Sequence, residues 1–229
     1  MSISTGFIKL VAVALGELNQ SAVFVGGATV PFYLPEEVKS EARPTEDIDV
    51  VLELVPKRKL HDFDDLLRKK GFQNDTSTGA PLCRWILGSI KVDIMTTDDG
   101  MLGFTNRWYA DGVANATSVE CDGMAIQILT LPFFLATKIE AFKGRGKGDF
   151  LISHDMEDVI TIIDAIDESQ LKSIFDEGQG SVGAYLKGEF AGFVGLNEFE
   201  QAVAGTVRNR GLANERASQL IQAIKNHLQ

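Results

Sequence analysis

The chain has 229 residues, 45% hydrophobic and 24% charged, enough for one large globular domain or two small ones. Its formal net charge of -10 excludes a protein that grips nucleic acid through bulk basicity, although a local basic groove stays open. Cys83 and Cys121 lie far apart without a CxxC, and His61, His154 and His227 lack ligand spacing, which argues for free thiols and against structural zinc. No run is long enough to span a bilayer and residues 1–5 carry no basic leader, so the expected location is the cytoplasm, with no membrane partner.

Apolar positions at helical spacing predict a first helix over 7–18. A short buried strand over 22–25 runs into Gly26-Gly27, and 28–34 begins a helix with Pro31 in its first turn. Residues 47–54 read as a strand ended by Pro56, then 57–70 as an amphipathic helix stopped by Gly71. Strands are expected at 82–87 and 90–95, turned by Gly88-Ser89, and at 117–121 and 124–129, turned by Asp122-Gly123. From Thr130, an N-cap with Pro132 just inside, the pattern is helical over 132–143 and 151–167, then in shorter pieces through 196–206 and 213–228. Strands with helices first and helices alone afterwards predict an α/β half over 1–130 and a helical half over 131–229.

Asp47 and Asp49 share a strand face by their i, i+2 spacing, while Ile48 and Val50 enter the opposite one. Two ionised carboxylates held so close need a counter-charge, and oxygen-only donors favour Mg²⁺ or Mn²⁺. Asp93, inside the apolar Lys91-Val92-Asp93-Ile94-Met95, is the candidate third ligand if its strand neighbours the first. Such a triad can hold two divalent ions at a transferring phosphoryl group. Gly26 and Gly27 would let backbone N–H groups approach a triphosphate.

Lys138, Lys143, Arg145 and Lys147 form either a cationic arm over phosphates or RNA, or a solvated helix connection. Lys57-Arg58-Lys59 and Arg68-Lys69-Lys70 are expected on a solvated face. Trp85, Trp108 and Tyr109 are expected to pack rather than to stack a base, and Phe133, Phe134, Phe190, Phe193 and Phe199 to form helix–helix core.

Gly26-Gly27, Asp47-x-Asp49 and the later Asp93 resemble the nucleotidyltransferase superfamily. More narrowly, Gly26-Gly27 followed by Arg43-x-Thr45-x-Asp47-Ile48-Asp49 is similar to the AbiEii/AbiGii toxin family of type IV toxin–antitoxin systems. The resemblance covers roughly residues 20–165. It implies an α+β, polymerase-beta-like mixed sheet with flanking helices, followed by a helical half that contributes to the nucleotide site. It implies an Mg²⁺-dependent transfer of NMP from an NTP to an acceptor hydroxyl, possible acceptors including a tRNA 3′ end, with a cognate antitoxin as partner. Asp47, Asp49 and Asp93 would hold the metal; Gly26, Gly27, Thr29, Arg43, Thr45 and Lys138 would bind the nucleotide. Asp158, and less directly Asp155, would orient Lys138. The chain departs from the family pattern at Ala28, with the hydroxyl displaced to Thr29, at His154 in place of an arginine, and in a glycine-stretched basic loop. Nucleotidylation of a small molecule or a protein, or a catalytically silent binding protein, are the alternatives.

Overall fold

Short runs of buried β-branched and aromatic residues, punctuated by glycine turns, build one seven-stranded mixed sheet among the described residues. The computed structural model describes residues 3–53, 60–97, 106–175, 180–207 and 210–228. They form two compact units: Met1–Thr29 with Arg43–Thr130, and Val30–Ala42 with Leu131–Gln229.

The first unit holds the sheet, in the order β3-β4-β5-β2-β1-β7-β6. β1 (Ala22–Val25) is buried at every position, as a strand covered on both faces must be. It runs antiparallel to β2 (Asp47–Leu52) and parallel to β7 (Met124–Ile128). On its other side β2 pairs in parallel with β5 (Ile90–Thr96), which forms a hairpin with β4 (Arg84–Leu87). The two-residue β3 (Gln73–Asn74) forms one edge, and β6 (Thr117–Cys121) the other. The β6–β7 turn has Asp122 at φ +51° and Gly123 at φ +81°, the two positive values that a tight hairpin turn of this hand requires.

Helix α1 (Ile3–Leu15) buries Ile8, Val11, Ala12 and Leu15 and lies against β2 and β6. It stops three residues short of the expected end because Gly16 turns left-handed at φ +57°, and a 3-10 helix, Gly16–Ser21, takes the remainder. α2 (Leu60–Lys69) buries Phe63 and Leu67 and ends at Gly71, φ +93°. The expected start of that helix, Pro56 and the Lys57-Arg58-Lys59 cluster lie outside the described residues. A short α3 (Tyr109–Ala114) and a 3-10 helix at Glu36–Glu41 were not expected, and the helix expected over 28–34 is a 3-10 helix, Gly27–Phe32. Proline inside this six-residue element suits a tighter, shorter helix.

The second unit contains α4 (Leu131–Gly144), α5 (His154–Ala165), α6 (Glu168–Ile174), α7 (Gly180–Phe193), α8 (Asn197–Thr206) and α9 (Ala213–Leu228). α4 is buried around most of its circumference and packs on α5 and α7. α5 begins after Ser153, whose hydroxyl accepts from Met156 N, three residues later than the apolar pattern suggested. Phe150 centres an aromatic core, 4.7 Å from Phe142, 5.2 Å from Phe193 and 5.6 Å from Phe199 between ring centroids. Among the described residues no helix is long and apolar enough to cross a membrane.

Candidate functional site

Asp47 and Asp49 occupy alternate positions of β2, with the buried Ile48 and Val50 on the opposite face. The parallel register sets Asp49 beside Asp93 on β5, so the three carboxylates share one face of adjacent strands. The antiparallel register of β4 puts Arg84 directly across from Asp93 on its other side. Arg84 donates Nε to Asp93 Oδ1 at 2.8 Å and Nη2 to Asp93 Oδ2 at 2.7 Å, a bidentate fork. The same Nη2 donates to Asp47 Oδ2 at 3.1 Å. Its bonds to Asp93 hold the guanidinium pKa above its ordinary value, against the opposing cost of partial burial. Burial, reinforced by the Asp93 and Asp49 charges, pushes the neighbouring Cys83 thiol up to about 12, so it stays protonated and inert. Both cysteines are free and buried.

Gly26 lies at φ +73°, and a Cβ built there would stand 1.8 Å from Asp49 Oδ2. A side chain at this position would have to adopt a left-handed φ and displace the Asp49 carboxylate, and glycine avoids both costs. Thr29 is fully buried and donates Oγ1 to Gly26 O at 2.9 Å, closing that turn with its hydroxyl already engaged. Gly27 opens the 3-10 helix that follows. Thr45 Oγ1 donates to Asp47 Oδ1 at 3.0 Å, fixing the carboxylate from the loop before β2. Arg43 Nη1 donates to Pro44 O at 3.1 Å within the same loop.

By donor type the three aspartates suit Mg²⁺ or Mn²⁺, which take hard carboxylate oxygens. As placed, however, Asp47 and Asp93 are both held by Arg84, and no group of three or more His, Cys, Asp or Glu residues among those described is arranged to hold a metal ion. The donors fit such an ion in kind and in face, and as placed two of the three carboxylates are taken by Arg84.

Lys138 and its partners form a cluster inside the second unit. Lys138 Nζ lies 2.6 Å from Asp158 Oδ2 and 3.1 Å from Asp155 Oδ1, and all three side chains are buried. Arg145 reaches from the glycine-rich loop to Asp155 with Nε and Nη2, both at 2.9 Å. Burial alone would lower the Lys138 pKa, but the Asp158 and Asp155 charges outweigh it and hold it raised. Burial likewise works to raise the Asp155 pKa, yet Arg145 and Lys138 together keep it lowered. Lys143 pairs with Glu189 at 2.6 Å, so three cations of the expected arm meet acids of their own unit. The loop itself folds back on α4, Gly146 N donating to Ala141 O and Gly148 N to Phe142 O, each at 3.1 Å.

Arg84 is not among the residues expected at the site from the sequence. Its signal lay in the predicted hairpin: a two-residue turn at Gly88-Ser89 pairs 87 with 90, and hence 84 with 93.

No family model matches the chain, and no curated protein matches its sequence. Among solved structures it is similar to an antigenic nucleotidyltransferase-like protein from Paracoccidioides brasiliensis, at 18% identity and a TM-score of 0.50, over 96% of this chain and 92% of that one. At that identity the likeness is one of fold: this chain has a nucleotidyltransferase-like fold.

Proposed function

We propose that the chain is a metal-dependent nucleotidyltransferase, moving NMP from an NTP to an acceptor hydroxyl with release of pyrophosphate. The observation that carries this reading is the placement of Asp47, Asp49 and Asp93 on one face of two paired parallel strands, against a glycine turn built around Asp49. Mg²⁺ or Mn²⁺ bound by these aspartates would offset the charge developing on the transferred phosphorus. Asp93, beside Asp49, would also serve as base for the acceptor hydroxyl. Gly26 and Gly27 would bring backbone to the triphosphate, while Thr45 holds Asp47 and Thr29 holds the turn. A triphosphate contact by Lys138 would require its ammonium to leave two buried carboxylates, so we assign Lys138, Asp155 and Asp158 to joining α4 and α5.

By resemblance to the AbiEii toxins, we take RNA, specifically a tRNA 3′ end, as the acceptor, and growth inhibition relieved by an antitoxin as the role. The test is incubation with Mg²⁺ and each labelled NTP in the presence of total RNA, total protein or aminoglycosides. Label in RNA with pyrophosphate release, lost in Asp49→Asn, is the expected result. Label in protein or in aminoglycosides alone would replace the acceptor class and remove the toxin reading. The second reading is a catalytically silent binding protein, favoured by the guanidinium that Asp47 and Asp93 already hold. Failure to bind Mg²⁺–NTP by calorimetry would establish it over transfer.

A further inference from the structure

We propose that Arg84 and a divalent cation are alternative occupants of the same place between Asp47 and Asp93, so that the cation enters only as the guanidinium leaves. The inference rests on reading the aspartates as metal ligands for nucleotidyl transfer. Arg84 uses Asp93 Oδ1, Asp93 Oδ2 and Asp47 Oδ2, oxygens that a metal would also take. A divalent ion sits about 2.1 Å from its carboxylate oxygens. The guanidinium nitrogens stand 2.7 Å and 2.8 Å from the Asp93 oxygens. An ion sharing one of those oxygens would stand about 4 Å from the nitrogen, where like charges repel.

Arg84 lies on β4, and its long side chain spans β5 to reach Asp47 on β2. The side chain keeps solvent access, as does Asp47, so a displaced guanidinium passes into water rather than into the core. Without metal, Arg84 supplies the counter-charge that the carboxylates need to fold side by side. It is a positioning residue that sets the threshold for metal entry.

The test follows the Arg84 Nε–H resonance of ¹⁵N-labelled protein, identified by its absence in Arg84→Lys, during titration with Mg²⁺, alongside calorimetric Mg²⁺ binding to wild type and Arg84→Gln. The expected result is a protected Nε–H that shifts and begins to exchange with water as Mg²⁺ saturates. Arg84→Gln is expected to bind Mg²⁺ at least ten-fold more tightly than wild type. Saturation with the Nε–H unchanged, an unchanged affinity in Arg84→Gln, or no Mg²⁺ uptake by wild type at millimolar concentrations would each overturn the exchange. Should Arg84→Gln fail to fold, the wild-type resonance decides alone. Exchange in a protein that transfers no nucleotide would defeat the proposed function only; transfer with Arg84 undisturbed would defeat the exchange only.

Discussion

Two clusters of acids and cations, one per unit, are built from the same chemistry and differ in burial. At the sheet, the Arg84, Asp47 and Asp93 side chains retain 20%, 36% and 12% of their exposure. In the helical unit, Lys138 and Asp158 retain 7% and 3%. An ion pair with solvent access can trade partners at small cost, because water re-solvates whatever is released. A buried pair cannot, since separating it strands a charge in a low-dielectric interior. Under the proposed function, the sheet cluster would be the working site and the buried Lys138–Asp158 pair a fixed joint between α4 and α5, with only Arg145 of that cluster open to solvent.

The contrast breaks first at Lys138. Lys138→Met leaves Asp158 buried without its cation and should cost about 3–5 kcal/mol in urea unfolding, with activity per folded molecule retained. A loss below about 1 kcal/mol would remove the distinction between the clusters. Asp49→Asn should do the reverse, lowering nucleotide transfer on the order of 10²–10³-fold, about 3–4 kcal/mol at the barrier, with little change in melting temperature. Gly26→Ala joins the two effects. It forces a Cβ against Asp49 at a left-handed φ, so both stability, by about 1–3 kcal/mol, and Mg²⁺ binding should fall.

Arg84→Gln should cost about 1–2 kcal/mol, measurably less than Lys138→Met. Acid titration sharpens the contrast further. The Asp155 pKa is lowered from 3.8, so its contribution is complete above that value and is lost as pH falls through the depressed pKa. Lys138 is raised from 10.5, so its contribution is complete below that value and is lost as pH rises through the elevated one. Asp155→Asn should flatten the acid limb of a stability–pH curve and leave the alkaline limb in place. Smallest of all, Lys143→Ala, which removes an exposed lysine from a partly buried Glu189, should change stability by under about 1 kcal/mol.

Strand positions were legible wherever burial imposed a pattern, as in β1, β2 and the two hairpins. The two-residue β3 and the short α3 were not, because elements of that length carry no period to read. In the candidate site, the common face of Asp47 and Asp49 is readable from their i, i+2 spacing, whereas Asp93 joins them only through the β2–β5 register. Arg84 was passed over because an arginine in a strand is unremarkable until its cross-strand partner is known. Val30–Ala42 groups with the helical residues of the second unit although it lies in the strand-rich half of the chain, and its local composition carries no mark of that.

The sequence by itself determined that Asp47 and Asp49 share a face, since alternation along a strand is a local property of the chain. Only the tertiary structure decided that Arg84 bridges Asp93 and Asp47 and that Lys138 is buried between Asp155 and Asp158. Both depend on register and burial among segments distant in the chain, and an ionisable group's role follows from the charges and the water that tertiary folding leaves around it.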